Sequence, residues 1–183
     1  LIHGLGLTYG LNTIPGTQIN TISIVKGPGS VMFGPESMSG MVNIDLKDPM
    51  TTHKLFINGY LDYNLRKEIN IDKQIRFNEK SALLLSGHAS HVSQKVDINH
   101  DEFLDMPLLG TYSLLGKWKY NYRGLISQNS LKYLHENRQS GQLNFDYKKN
   151  IPDSFIYGQQ LLTHRVEFYG RTGWVLPKEK YNS

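Results

Sequence analysis

Residues 22–47 read Ile-Ser-Ile-Val-Lys-Gly-Pro-Gly-Ser-Val-Met-Phe-Gly-Pro-Glu-Ser-Met-Ser-Gly-Met-Val-Asn-Ile-Asp-Leu-Lys. Two runs with β-branched residues, Ile22 to Val25 and Met41 to Leu46, bracket fifteen residues rich in Gly, Ser and Pro. Gly27, Gly29, Gly34 and Gly40 allow positive φ, while Pro28 and Pro35 fix φ and remove donors. The expected local structure is strand, ordered loop, strand.

A phosphate loop would need G-x-x-x-x-G-K-[ST]. Gly29 to Gly34 has the glycine spacing, but Pro35-Glu36 stands where Lys and Ser/Thr are required, and a carboxylate there repels phosphate. Upstream, Gly4-x-Gly6-x-x-x-Gly10 misses the dinucleotide spacing by one residue, with no strand before it. A hairpin-like excursion from a soluble β domain fits the same turn residues.

Taken in order, Ile-Val-Lys-Gly-Pro-x-Ser, then Phe-Gly, then Ser-Gly-Met-Val-Asn-Ile resembles the end of the plug domain of TonB-dependent outer-membrane receptors. The matching positions are Val25, Gly27, Pro28, Ser30, Phe33, Gly34, Gly40, Val42, Asn43 and Ile44. Lys26 stands where many members have Arg, so a point charge replaces a planar fork. The resemblance implies that Lys26, Gly27, Pro28, Ser30, Gly34, Gly40 and Asn43 belong to the gating or structural motif of the plug. Ile14-Pro-Gly-Thr-Gln-Ile-Asn20 resembles the segment just before the final plug strands, where a ligand-facing loop returns to the sheet.

If residues 1–50 end an α/β plug, residues 51–183 should begin a transmembrane antiparallel β-barrel. The rest of the sequence bears on this independently. Cysteine is absent, which excludes disulfides and thiolate metal sites. The net charge of +4 is scattered rather than gathered into a nucleic-acid stripe. No apolar run is long enough for a transmembrane helix, but barrel strands need only about 9–11 half-polar residues. Eleven Tyr, seven Phe and two Trp can supply interfacial girdles.

Pro49 marks a boundary by biasing Asp48 away from helix. Beyond it the period is two. Leu55, Ile57, Gly59, Leu61 and Tyr63 share one face, and Lys54, Phe56, Asn58, Tyr60 and Asp62 share the other. Ser81 to His91 sets Leu83, Leu85, Gly87 and Ala89 apart from Ala82, Leu84, Ser86, His88 and Ser90. Thr111 to Ile126 alternates almost without a break and reads as a single strand, longer than soluble sheets usually need. In Leu162 to Trp174, Val166, Phe168 and Trp174 oppose Arg165, Glu167 and Arg171, which would face a wet lumen; His164 falls on the apolar face. About four barrel strands are expected, too few to close a barrel or to fold alone, since both edges would stay open. Met106 to Gly110 reads as a short turn and Leu131 to Phe155 as a long polar loop, giving the asymmetry of periplasmic and external ends.

Asp97, Asn99, Asp101 and Asp105 place oxygens at relative positions 1, 3, 5 and 9, a pattern that can hold calcium; the alternative is an acidic solvated turn. Glu102 replaces the Gly of an EF-type loop, and the site would lie at the periplasmic rim, beside the short turn. His88 and His91 are three apart and so on opposite strand faces, which prevents shared ligation. His53, His100 and His135 are expected in loops. No other cofactor and no catalytic residue is assigned, and an enzyme is not expected.

The resemblance implies a receptor of a Gram-negative outer membrane, embedded in outer-membrane lipid. It would take up a scarce ligand (a siderophore–metal chelate, cobalamin, heme or a glycan) by binding and plug-gated passage. The TonB complex of the inner membrane would act through a segment not in this sequence, which begins at Leu1 without a signal peptide and is expected to be internal. A soluble β-rich carbohydrate-binding domain is the main alternative. A passive porin would have no reason to carry the 22–47 motif.

Overall fold

The computed structural model describes residues 13–27, 40–146 and 155–175, which form two antiparallel β-sheets. The first pairs β1 (Ile19–Lys26) with β2 (Gly40–Leu46), running from Ile19 opposite Leu46 to Lys26 opposite Gly40. A 3-10 turn at Gly16–Gln18 precedes it. The strands expected from the β-branched runs are therefore present, each slightly longer than anticipated.

The second sheet has six strands in sequence order: β3 (Leu55–Leu61), β4 (Lys67–Asn78), β5 (Ser81–Val92), β6 (Leu108–Tyr122), β7 (Leu125–Gly141) and β8 (Gly158–Trp174). Every neighbour is antiparallel, and β7 and β8 stay in register from Leu125 opposite Trp174 to Gly141 opposite Gly158. This corrects the count of about four strands. β4 was not anticipated. Residues 131–141, expected in a loop, lie in β7. Nor is 111–126 one strand: β6 ends at Tyr122, and the chain reverses through Arg123 and Gly124, both at positive φ (49° and 82°). Two residues at positive φ give the backbone twist that suits a two-residue hairpin.

The connections alternate in length. At one end, β4–β5 and β6–β7 are joined by two residues each, 79–80 and 123–124. At the other, 62–66, 93–107 and 142–157 join the remaining pairs. The long connection preceding β6 is thus 93–107, not a short turn at 106–110. The two longest loops also hold each other: Leu104 donates to the Gly141 carbonyl at 2.9 Å, Leu143 to the Glu102 carbonyl at 2.8 Å, and Phe103 bridges Gln142.

An antiparallel sheet in water ordinarily buries its apolar face and wets the polar one. Here the polarity is reversed. The face that meets Thr13 and residues 46–50 carries buried Asn70, Asp72, Ser113, Lys117, Lys132 and Glu136, with Ala82, Leu84, Leu115 and Leu134 as apolar filling. The open face carries Ile57, Ile71, Leu114, Tyr133 and Val166 in one row across five strands, all exposed. Gly87 completes that row on β5. Arg165 and Glu167 lie on the covered side with Lys132 and Leu134, as their alternation required.

Candidate functional site: the covered face of the sheet

The site is the seam where Thr13 and residues 46–50 rest on the six-stranded sheet. Its lower part is built by Leu46 to Met50, which leave β2 and turn toward β3. Asp48 shapes that turn: its carboxylate accepts the Met50 amide at 2.8 Å, and its carbonyl accepts the amides of Thr51 and Thr52. Pro49 is fully buried at the turn.

Cationic side chains of the sheet reach up to this turn. Lys117 on β6 donates from Nζ to the carbonyls of Leu46 (3.1 Å) and Lys47 (3.0 Å). Lys119, two residues on and so on the same face, pairs with the Asp48 carboxylate. Gln74 donates to the Pro49 carbonyl at 2.6 Å, and Arg76 donates to that of Met50. One contact runs the opposite way: Lys47 reaches down to Asp72, with its ammonium also 4.4 Å from the Phe56 ring centre. A second group of contacts holds Thr13, whose carbonyl accepts from Lys132 at 3.2 Å and whose hydroxyl accepts from Arg165 at 3.2 Å.

Several of these bonds join a charged donor to a main-chain carbonyl, which has no charge of its own to return. Such contacts are directional and stronger than neutral ones, and they do not depend on which side chains the covered segment carries. They fix the position of the segment while leaving polar groups along its path. Burial pushes the Asp48 carboxyl up, but the hydrogen bond from Lys119, the Met50 amide and the charges of Lys119 and Lys117 outweigh it. The carboxyl is held below its ordinary value of 3.8.

Of the residues singled out from the 22–47 motif, Lys26, Gly27, Gly40 and Asn43 are described, and all lie on the β1–β2 hairpin. Lys26 closes β1 opposite Gly40, and Gly27 follows at φ 92°. Gly40 has φ 129°, and a Cβ there would sit 3.0 Å from the Val25 carbonyl oxygen, so close strand pairing requires glycine. Asn43 pairs with Ser23 and is exposed. Pro28, Ser30 and Gly34 lie outside the described residues.

The acidic run sits in loop 93–107, at the end with the long connections, and its expected place beside a short turn is corrected. Its carboxylates bond the loop's own amides. Asp97 accepts from Asp101 (3.2 Å) and Glu102 (3.1 Å), Asp101 from Phe103 (2.8 Å), and Asp105 from Ile98 (2.6 Å). Asn99 donates its amide to Asp101 at 2.9 Å. These bonds hold His100 and Glu102 at positive φ, 59° and 67°. Among the described residues, no group of three or more His, Asp or Glu is arranged to hold a metal ion.

His88 and His91 do face opposite ways. His88 Nδ1 is 2.7 Å from the Asn70 side-chain oxygen on the covered face, and His91 is on the open face. His135 is not in a loop: it lies on β7, directly across from His164.

Lys47, Asp48, Asp72, Lys117, Lys119 and Lys132 were not anticipated as site residues. A regular alternation did place Lys117 and Lys119 together on one face; what they touch, some 70 residues earlier in the chain, leaves no trace in local pattern. No protein-family model matches this chain, and no curated protein matches it.

Proposed function

We propose that this chain is part of a TonB-dependent outer-membrane receptor: the end of the plug and an arc of the barrel wall. The observation that carries the reading is the reversed polarity of the six-stranded sheet, apolar where it is open and polar where it is covered. Lipid rewards that arrangement and water does not, because a strand pair satisfies its backbone internally and presents only apolar side chains to hydrocarbon.

Dimensions agree with it. On β6 the open face runs from Tyr112 to Tyr122. The ten residue steps between them are about 33 Å of extended strand, or about 25 Å of height at the tilt of roughly 40° usual for such barrels. The short-turn end is marked on the open face by Trp118, Tyr120, Tyr122 and Trp174, an aromatic girdle, with Trp118 stacked on Tyr120. Two-residue turns then face the periplasm and the long loops face outward.

In this reading the plug, to which Thr13 and Leu46 to Met50 belong, sits inside the wall, and the Lys117, Lys119, Lys132 and Arg165 contacts seat it. The function is binding of a scarce ligand at the outer face, a siderophore–metal chelate, cobalamin, heme or a glycan, followed by passage when the TonB complex rearranges the plug. Covalent chemistry has no part in it. Hydrogen bonds from the wall to main-chain carbonyls suit such a device: each is strong enough to seat the plug and can be exchanged singly for water.

Membrane fractionation of the complete gene product, with gel mobility before and after heating, tests the proposal. Recovery in the outer membrane with a heat-dependent mobility shift is expected. Recovery as a soluble monomer would overturn it in favour of a soluble carbohydrate-binding β domain.

A further inference from the structure

His135 on β7 and His164 on β8 stand directly opposite each other on the open face. Their ring centres are 4.5 Å apart with the planes inclined at 39°, and the two Nδ1 atoms face each other at 3.4 Å. Tyr133, one alternation from His135, brings its hydroxyl to 3.4 Å from the same Nδ1 of His164. From the neighbouring strand on the other side, Tyr112 stacks on His135, with ring centres 6.1 Å apart and planes 15° from parallel. The His135 ring is therefore held between Tyr112 and His164.

Three polar atoms gather here, and neither 3.4 Å contact is a good hydrogen bond, since such bonds from nitrogen are about 2.7–3.2 Å long. The spacing matches a different geometry. Two imidazole nitrogens bound at about 2.0–2.1 Å to one tetrahedral ion lie about 3.3–3.4 Å apart, along one edge of the tetrahedron. Each ring frees its Nδ1 lone pair by carrying its proton on Nε2.

We infer that His135 and His164 form a two-imidazole site for Zn²⁺ or another divalent ion of tetrahedral preference. Imidazole suits this class of ion, whereas Mg²⁺ and Ca²⁺ take oxygen sets. Water fills the remaining positions, and the Tyr133 hydroxyl stands beside them to hydrogen-bond a bound water. A site with such open positions exchanges its ion. The bound ion ties β7 to β8 six residue pairs from Gly141 and Gly158, where the long 142–157 connection begins and ends. The inference does not use the membrane reading, because the two side chains meet across the strands whatever borders the open face.

The test titrates Zn²⁺ into the untagged complete gene product by calorimetry. Co²⁺ serves as a spectroscopic substitute, since tetrahedral Co²⁺ absorbs far more strongly than six-coordinate Co²⁺. Saturable binding with a tetrahedral Co²⁺ spectrum is expected, and Zn²⁺ should displace the cobalt. His135→Gln and His164→Gln should each weaken binding by more than the roughly tenfold that loss of an outer-shell partner costs, and Tyr133→Phe by about tenfold or less. His91→Gln, on the same face one row nearer the long loops, should bind as the wild type does. Zn²⁺ should raise the thermal midpoint of the wild type but not of the two histidine variants, whose folding is checked by circular dichroism. Unchanged binding in both histidine variants would overturn the inference. So would a six-coordinate Co²⁺ spectrum, or no saturable binding, in the wild type, a readout that needs no substitution. Gel mobility on heating addresses the membrane reading alone, so the two can fail separately.

Discussion

Lys47 Nζ lies 2.8 Å from Oδ2 of Asp72, a carboxylate only 2% exposed on the covered face of the sheet. The pair ties the end of the β1–β2 hairpin to the fourth strand. Removing one partner of a buried pair costs more than removing both, because the survivor keeps its desolvation penalty. Lys47→Met should therefore destabilise the protein by about 3 kcal/mol, and adding Asp72→Leu should restore most of that loss. Urea unfolding midpoints of the complete gene product in detergent, measured for both single variants and the double, check it.

The open face gives a prediction that separates lipid from water. Leu131, opposite Gly116, is 55% exposed, and in a soluble protein Leu131→Arg would cost almost nothing. Facing hydrocarbon near mid-height, the same change should cost roughly 2–4 kcal/mol. Folding titrations into phospholipid vesicles read the difference directly.

The turn between β6 and β7 depends on its second residue. A Cβ at Gly124 would lie 2.5 Å from the Val175 carbonyl oxygen, and its φ is already positive. Gly124→Ala should cost about 1–3 kcal/mol. Arg123→Asn, which suits φ 49°, should be neutral or slightly stabilising. Thermal unfolding of the two variants provides the comparison.

Acid should loosen the seam at Asp48. Its carboxyl is depressed in the folded state, so it adds stability that is complete well above 3.8 and fades as pH falls through the depressed value. Asp48→Asn should lower the urea midpoint at neutral pH, and the gap from wild type should close as pH drops below 3.8. A gap that stayed constant across that range would show that Lys119 and Asp48 are not coupled.

The legible parts of this fold were those with one apolar face. Leu55 to Leu61, Ser81 to His91 and Leu162 to Trp174 announce themselves by period two. β7 was missed because Gln128, Ser130 and Lys132 are polar on one side while Ser127 and Asn129 are polar on the other. A reader who equates polarity with loops passes over such a strand. β4 alternates as well, but Lys73 interrupts its row of Ile69, Ile71 and Ile75. The Arg123-Gly124 reversal lay hidden because the apolar alternation runs straight across it, from Tyr122 to Ile126. The seam was the least legible part, since the carbonyls of Leu46 and Lys47 exist in any sequence and nothing local marks them as acceptors.

The two-residue turns at 79–80 and 123–124 have a wider effect than closing hairpins. Side-chain direction repeats every second residue, so strand pairing preserves parity, and a slip of a single residue turns every side chain of that strand to the other face. A register shift from an inserted residue at 79–80 would carry Ser86 toward the outside and Leu85 toward the inside; one at 123–124 would do the same to Lys132 and Leu131. The long loops, by contrast, can absorb insertions without passing the error on. These tight turns therefore act as phase locks, protecting the distinction between inside and outside for the strand that each one leads into.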